Sequence, residues 1–256
     1  MERLVLRDDQ WERTSAHIIG TERTRGSSGR DTRMFVEGVL WTARTGNPWR
    51  DLAEVFGAWN SVFRRFGRWA AKGMWDRVFA VMSDDLGFEY LIIDSTVVRT
   101  HQHAPRAKKG LRIKPRGRSR GGPSTKLRLA VRGLGCPART ILTAGQRGDA
   151  RQALAPLGED QPEAVPADAA YASGAFRPVI VEAGTVAVIP NNPSRAIRHP
   201  FKEAPYKERH LVECCFSRLK QFRRVATRHE GTARNYLAII NPRRNRPLAQ
   251  VTVHKT

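Results

Sequence analysis

The first third of the chain places apolar residues at helical spacing. Within residues 33–44, apolar side chains stand four residues apart in two pairs, Phe35 with Val39 and Val36 with Leu40. Residues four apart lie on one face of an α-helix, so this stretch predicts an amphipathic helix.

Two further helices are predicted directly after it. Pro48 suits the first turn of a helix, PWRDLAEVFG, that ends at Gly57. The next stretch, AWNSVFRRFGRWAAKG, has an apolar stripe made of Trp59, Phe63, Phe66 and Ala70. Two helices joined by a tight glycine turn resemble a helix-turn-helix. The arginines in this stretch are Arg64, Arg65 and Arg68. Two interpretations stay open: they contact DNA, or they are solvated charges on the surface of an ordinary helical bundle.

After Gly87 the pattern changes to short β-branched runs with helical segments between some of them. The predicted strands are LIIDSTVV, KLRLAV, RTILTAG, AVPAD and TVAVIP. The first three form a meander, which is followed by a helix, the short strand AVPAD, a helix around residues 173–182, a strand and a closing helix. This order predicts an α/β fold, a ribonuclease-H-like mixed sheet with flanking helices behind a small all-α domain. The expected division is 1–87 helical, 88–240 catalytic and 241–256 a disordered tail.

Charge narrows the class of partner. The 256 residues carry 45 Lys and Arg against 24 Asp and Glu, a net charge of +21. Such a surface favours a polyanion, and nucleic acid is the expected partner. Three cysteines without a CxxC spacing argue against a disulfide framework and a zinc site. No apolar run is long enough for a membrane span or an export signal, so we expect a cytoplasmic protein.

A basic, acid-free stretch extends over the first three predicted strands, and its Gly- and Pro-rich segment 103–124 lies between the first two. Residues 95–148 contain 14 Lys and Arg and no Asp or Glu. A charge run is usually a solvated segment, but this one lies within the predicted sheet, where phosphate contact gives it a use. The predicted DNA contacts in it are Lys108, Lys109, Arg116, Arg118 and Arg120.

Three acids come from separate predicted elements. Asp94 interrupts an apolar strand, Asp168 closes a second strand, and Glu213 lies on the closing helix. A carboxylate in a central strand is costly to bury unless it is paired or bound to a cation. Any one of these acids alone could be a cap or a surface charge. Together they suit two Mg²⁺ ions, with Mn²⁺ as a substitute, in phosphodiester chemistry.

The closing helix is predicted to carry a polar face. Tyr206, Arg209 and Lys220 stand seven before, four before and seven after Glu213, which places all four within about 60° of helix circumference. A packed amphipathic helix explains the opposite apolar stripe, but it does not explain these four residues. Such a face would present the Glu213 carboxylate to a metal ion and the cations of Arg209 and Lys220 to phosphates.

The same four residues form Tyr-x2-Arg-x3-Glu-x6-Lys, and this motif resembles the signature of bacterial insertion-sequence transposases of the DDE class. Other segments are similar to the insertion-sequence-five group, among them LRDDQWERT, IDSTVVRTHQHAPRAKKG, GRSRGGPSTK and ERHLVECCFSRLKQFRRVATRHE. The resemblance covers roughly residues 1–240. It implies a DNA transposase that cleaves element ends and transfers strands into target DNA, with a homodimer expected in the DNA complex.

The resemblance also implies residue roles. Asp94, Asp168 and Glu213 become the metal-binding catalytic triad, with Tyr206, Arg209 and Lys220 assisting on DNA. Asp149 is the runner-up for the second carboxylate, although it also suits a helix cap. His101 and His103 form an HxH pair, which the motif does not assign to metal.

Two departures from the family bear on activity. After Asp168 this chain reads Ala-Ala-Tyr-Ala where the family usually has Lys-Gly-Tyr-Asp. Past Ile240 the family's apolar helix is replaced by prolines and arginines, which predicts a poorly ordered tail. A relative that binds DNA without cutting it is therefore the alternative hypothesis.

Overall fold

A computed structural model describes most of the chain outside several loops and the two ends. The described residues are 6–15, 18, 30–83, 90–102, 104, 117–119, 122–132, 135, 137–148, 154–158, 160–172, 176–191, 194 and 197–240. The predicted tail, 241–256, and Asp149 lie outside them. None of the described helices is long and apolar enough to cross a bilayer.

In the described part of the chain, four α-helices precede the first four strands, and the remaining helices and strands follow. The helices are α1 (Asp8–Ser15), α2 (Arg30–Thr45), α3 (Trp59–Ala71), α4 (Met74–Ser83), α5 (Leu154–Leu157), α6 (Phe176–Glu182), α7 (Glu203–Lys207), α8 (His210–Lys220), α9 (Arg223–Ala226) and α10 (Ala233–Ile240). The strands are β1 (Leu91–Thr100), β2 (Gly117–Ser119), β3 (Gly122–Arg132), β4 (Pro137–Ala144), β5 (Ala164–Pro166), β6 (Val186–Val188) and β7 (Thr227–Arg228).

The described residues belong to two compact units that are discontinuous in sequence. The first unit contains those within 1–84, 101–113 and 219–245, and the second contains those within 85–100 and 114–218. The N-terminal helices therefore share a unit with α9, β7 and α10. The predicted division at residue 87 places these three elements in the catalytic domain, and that division stays a prediction.

Helix α2 confirms the first periodicity prediction. Its buried residues include Phe35, Val36, Val39 and Leu40, the residues of the two predicted pairs. The Phe35 ring meets the Trp69 ring edge-on, with centroids 4.9 Å apart. The helical N-terminal region rests on this aromatic core.

The predicted helix over residues 48–57 is wrong. The segment forms two 3₁₀ turns, Trp49–Asp51 and Glu54–Phe56, with extended backbone at Leu52 and Ala53. Leu52 and Phe56 are buried against Gly38 of α2: a Cβ atom on that glycine would lie 2.8 Å from the Cβ of Phe56. Tertiary packing at this contact overrides local helix propensity.

The apolar face of α3 is rotated from the predicted stripe. The buried residues are Val62, Phe66, Trp69 and Ala70. Trp59 and Phe63, which the periodicity places in the stripe, are 38% and 39% exposed. The helix turns Trp69 inward because that ring packs on the Phe35 and Trp75 rings.

The second unit contains the predicted mixed sheet. Strand β3 pairs antiparallel with β1 on one side and with β2 and β4 on the other. Two parallel bridges, Tyr90 to Ala164 and Ile93 to Ala167, join β1 to β5, which pairs parallel with β6. The long antiparallel strands β1, β3 and β4, followed by the parallel strands β5 and β6, are in the order predicted for a ribonuclease-H-like fold, so that prediction is confirmed.

The closing helix is interrupted, in contrast to the prediction. Helix α7 ends at Lys207, residues 208–209 form a turn, and α8 starts at His210. The amide of Arg209 donates to the carbonyl of Tyr206 at 3.0 Å, and the amide of Val212 donates to the carbonyl of Arg209 at 3.2 Å. These three-residue spacings tighten the backbone into 3₁₀ geometry. Tyr206 and Glu213 therefore lie on two helices.

Candidate active site

Asp94 lies in the middle of the sheet, where a carboxylate is unusual. It follows the buried Leu91, Ile92 and Ile93 on β1 and stands opposite Leu129 on β3. Its side chain is 17% exposed. The backbone amide of Ser95 donates to Asp94 Oδ1 at 2.7 Å, which fixes one carboxylate oxygen.

Asp168 is brought next to β1 by strand pairing. Ala167 bridges to Ile93, so the residues after those two, Asp168 and Asp94, lie at the same level along the strands. Asp168 caps the 3₁₀ turn Ala169–Tyr171, and the amide of Ala169 donates to its Oδ1 at 2.6 Å. The cap sets the direction of this carboxylate.

Arg209 connects the first and third acids. Its Nη1 lies 3.1 Å from Asp94 Oδ2, and its Nη2 donates to Glu213 Oε1. Glu213 is in the first turn of α8, with about half of its side chain exposed. One guanidinium therefore joins a strand residue to a helix residue 119 positions later in the chain.

The acids influence one another electrostatically. Burial raises the pKa of Asp94, while the Ser95 amide and the Arg209 charge oppose that rise. The negative charges of Asp168 and Glu213 add to it. All three carboxylates are therefore close enough to interact through space. As the side chains stand, no three His, Cys, Asp or Glu residues in the described part of the chain form a metal-binding group.

The two remaining motif residues are Tyr206 and Lys220. The Tyr206 ring lies 6.0 Å from Arg209 Cζ and packs edge-on against the Phe201 ring, with centroids 5.2 Å apart. Lys220 is exposed at the C-terminal end of α8, two turns beyond Glu213. Tyr206 adjoins the guanidinium, and Lys220 faces solvent.

The predicted DNA contacts are partly described. Lys108, Lys109, Arg116 and Arg120 lie outside the described residues, and for Arg118 only its place in β2 is described. In α3, Arg64 and Arg68 are exposed.

Arg65 has protein partners instead. Its Nη2 donates to Thr32 Oγ1 at 2.7 Å. Its guanidinium also lies 4.5 Å from the Phe35 ring centroid and 5.3 Å from that of Trp69. The structure therefore gives Arg65 a packing role in the helical unit.

Only one residue of the HxH pair is described. His103 lies outside the described residues, and His101 stacks on His229 with centroids 4.5 Å apart. Burial, with the positive charge of Arg224 and the neighbouring His101, lowers the pKa of His229 to about 4.

Buried charged residues were missed by sequence reasoning. Arg128 is fully buried in β3 and donates to the carbonyls of Arg147 and Gly148 at 3.1 and 2.9 Å. Arg224 and Glu230 form a buried ion pair, and Arg224 also donates to the carbonyl of Asn47 at 2.9 Å. Their partners lie up to 177 positions away. No local pattern distinguishes these residues from surface charges.

Two family models match the chain over separate ranges. Residues 6–79 match a family described as "Putative transposase of IS4/5 family (DUF4096)". Residues 86–241, more than half of the chain, match the family described as "Transposase DDE domain".

Similar proteins occur in several bacteria. A protein of Sinorhizobium fredii named "Uncharacterized protein y4sN" is 42% identical over 104 residues, which is 41% of this chain and 83% of that protein. "Putative transposase for insertion sequence element IS6501" of Brucella ovis is 37% identical over 120 residues, 46% of this chain and 92% of that protein. A 16.2 kDa protein of insertion element IS402 from Burkholderia cepacia is 30% identical over 86 residues, covering 30% of this chain and 58% of that protein.

Proposed function

The chain belongs to the family of insertion-sequence transposases with a DDE domain, and we propose that it cleaves DNA at the ends of its element and joins those ends to target DNA. The observation that carries this proposal is the meeting of three acids from β1, from the turn after β5 and from α8. Asp94, Asp168 and Glu213 are the proposed catalytic residues. A shared acidic site built from three elements suits phosphodiester chemistry.

The donor set fits a divalent cation. Arg209 contacts the carboxylates of Asp94 and Glu213, and the charge of Asp168 also acts on its guanidinium, so negative charge is in excess at the site. Transposase DDE domains generally use a divalent metal ion. Carboxylate oxygens are ligands that Mg²⁺ and Mn²⁺ accept. Asp94, Asp168 and Glu213 would hold two such ions, which would supply charge stabilisation at the attacking and leaving oxygens. Arg209 now contacts oxygens of Asp94 and Glu213 that such ions would need.

The chain's own residues have the following proposed roles. The Ser95 and Ala169 amides orient the carboxylates of Asp94 and Asp168, so neither acid depends on solvent for its position. Lys220 neutralises a DNA phosphate beyond the acidic cluster. Arg209, once released by one carboxylate, can do the same, with Tyr206 beside it.

The proposed partner is double-stranded DNA, both the terminal inverted repeats of the element and the target. The basic stretch with Lys108, Lys109, Arg116, Arg118 and Arg120 is proposed to contact its phosphates. A homodimer in the DNA complex lets one copy act on each end of an element. Because its substrate is DNA, the proposed location is the bacterial cytoplasm.

A relative that binds DNA without cutting it is the second candidate. Its support is the departure after Asp168, where Ala169 and Ala172 replace the family's lysine and acid. The cap on the Ala169 amide keeps Asp168 oriented despite that change. We therefore favour the active transposase, and metal-dependent nicking separates the two candidates.

The experiment measures nicking of a duplex that carries the inverted repeats flanking the gene, in Mg²⁺ and in Mn²⁺. Asp94→Asn, Asp168→Asn and Glu213→Gln should each abolish nicking while DNA binding persists, because each removes a metal-binding charge. We expect a loss of at least about a thousandfold, equivalent to several kcal/mol of transition-state stabilisation.

Glu203→Gln is the matched control, because this exposed acid on α7 lies outside the cluster. It should nick as the unchanged protein does. A chain that binds the duplex but nicks it under no metal condition would favour the second candidate. Full nicking by any triad variant would remove that residue from the site.

A further inference from the structure

One face of α3 combines positive charge with an unexplained glycine. The face opposite the buried side includes Asn60, Arg64, Gly67, Arg68 and Ala71. No Asp or Glu occurs anywhere within Trp59–Ala71. Among the described residues no ion pair involves Arg64 or Arg68. This face is therefore complementary to a polyanion.

Gly67 has no structural requirement within the protein. It lies inside α3 and does not belong to the glycines with positive φ. Among the residues that the structure describes, a Cβ atom added to it would have no neighbour within 4 Å. Gly38 of α2 differs, because its Cβ would lie 2.8 Å from that of Phe56. Glycine weakens a helix relative to alanine, so Gly67 lowers the stability of α3 without improving its packing.

Glycine also allows another molecule to approach the helix backbone closely, which gives Gly67 a use that packing does not. The two arginines stand three residues before and one residue after it, on the same exposed face. An α-helix fits the major groove of B-form DNA, and asparagine and arginine are side chains that read base edges there. Phe63, 39% exposed at the margin of this face, offers an apolar contact to a thymine methyl group.

We propose that the exposed face of α3 lies in the major groove of duplex DNA, with Gly67 at the point of closest approach and Arg64 and Arg68 on either side of it. This inference rests on the proposed function, since it assigns the DNA-binding surface of the same transposase. It excludes Arg65, whose guanidinium contacts Thr32, Phe35 and Trp69.

The test uses the full chain and a labelled duplex that carries the inverted repeats flanking the gene. Fluorescence anisotropy gives the dissociation constant of each variant. Gly67→Leu should weaken binding by about tenfold or more, because the side chain prevents close approach. Ala183→Leu is the control: Ala183 is an exposed neutral residue directly after α6 and lies outside α3. It should change the dissociation constant by less than about twofold.

A stability measurement excludes misfolding as the cause. Gly67→Ala should raise the melting temperature by a few degrees, since it removes a helix glycine, whereas Gly38→Ala should lower it. Arg64→Gln and Arg68→Gln should each weaken binding and reduce the slope of log affinity against log salt by about 0.9.

The outcomes separate this inference from the proposed function. If the unchanged protein binds and nicks the duplex while Gly67→Leu and both arginine variants bind equally well, the α3 face is not the binding surface. If the unchanged protein binds no duplex, both proposals fail. If Gly67→Leu weakens binding but no metal condition supports nicking, the α3 face is supported and the proposed cleavage is not.

Discussion

The acids at the candidate active site of this transposase are contacted by residues that are adjacent in the sequence and by residues far away in it. The amide of Ser95 orients Asp94 from the adjacent position, and the amide of Ala169 does the same for Asp168. Arg209 reaches Asp94 across 115 positions. Local geometry therefore sets the directions of two acids, and the sheet and α8 set which side chains meet.

His229 gives a residue-scale prediction about pH. Its pKa is about 4 in the folded protein because burial and the Arg224 charge disfavour the protonated ring. The unfolded chain should titrate near 6.5 and bind more protons between these values, so this group's contribution to stability is lost as pH falls from about 6.5 to about 4. The partly exposed ring limits the effect to about 1 kcal/mol.

Urea unfolding at pH 7 and pH 4.5 tests this prediction. His229→Asn should lose less stability over this range than the unchanged protein, by the same 1 kcal/mol or so. The comparison cancels other titrating groups, including buried Glu230, whose pKa is raised by burial in both proteins. An identical pH dependence in both proteins would show that His229 is not protonated on unfolding.

Sequence reasoning at the residue scale succeeded where a residue contradicted its surroundings. Asp94 was found because it interrupts an apolar strand, and its raised pKa reflects that burial. Arg65 was predicted to contact DNA, and nothing adjacent to it in the sequence reveals that Thr32 and Phe35 contact its guanidinium. A buried arginine and a DNA-binding arginine look alike until tertiary contacts are known.

At the scale of elements, the spacing of apolar residues predicted whether a long segment is a helix or a strand, but it did not predict where a helix is interrupted. The long strands β1, β3 and β4 and helix α2 occur where alternation or helical spacing was sustained. The segments at 48–57 and 203–220 have helical spacing too, but the first forms two 3₁₀ turns and the second is interrupted at 208–209. Short segments are decided by what they pack against, which their own pattern does not contain.

The buried ion pair between α9 and the loop before α10 gives an element-scale prediction. Arg224 pairs with Glu230 and also donates to the Asn47 carbonyl before the first 3₁₀ turn. Arg224→Ala should lower the free energy of unfolding by about 3 to 5 kcal/mol, since it leaves the Glu230 carboxylate buried and unpaired. Replacing both, as Arg224→Met with Glu230→Leu, should cost less than Arg224→Ala alone.

Urea denaturation of Arg224→Met, of Glu230→Leu and of the double variant measures the coupling between these residues. Arg234→Ala is a control, because this arginine on α10 is exposed. A double variant whose loss equals the sum of the single losses would show that the pair does not stabilise the first unit.

At the scale of the whole molecule, the chain crosses between its two units more than once. Residues 219–245 share a unit with the N-terminal helices, although α8 carries Glu213 immediately before them. Sequence reasoning placed one boundary near residue 87, because composition changes there from helical to β-branched patterns. The later crossing lies within α8, where composition does not change, so no compositional signal could have revealed it.

The net charge of +21 gives the prediction at this scale. If the basic stretch contacts DNA, the affinity of the protein for DNA should fall as the salt concentration rises. A plot of log affinity against log salt should have a slope of about −0.9 per neutralised phosphate. Five changes to Gln test this stretch, at Lys108, Lys109, Arg116, Arg118 and Arg120. They should flatten the slope by up to about 4.5, because a protein that neutralises fewer phosphates displaces fewer counterions from the DNA.

The control removes the same charge from five exposed cations elsewhere, at Lys72, Arg77, Arg198, Lys202 and Arg234. Anisotropy titrations from low to physiological salt give both slopes. Equal slopes for the two five-site variants would mean that total charge, and not this stretch, determines the salt dependence.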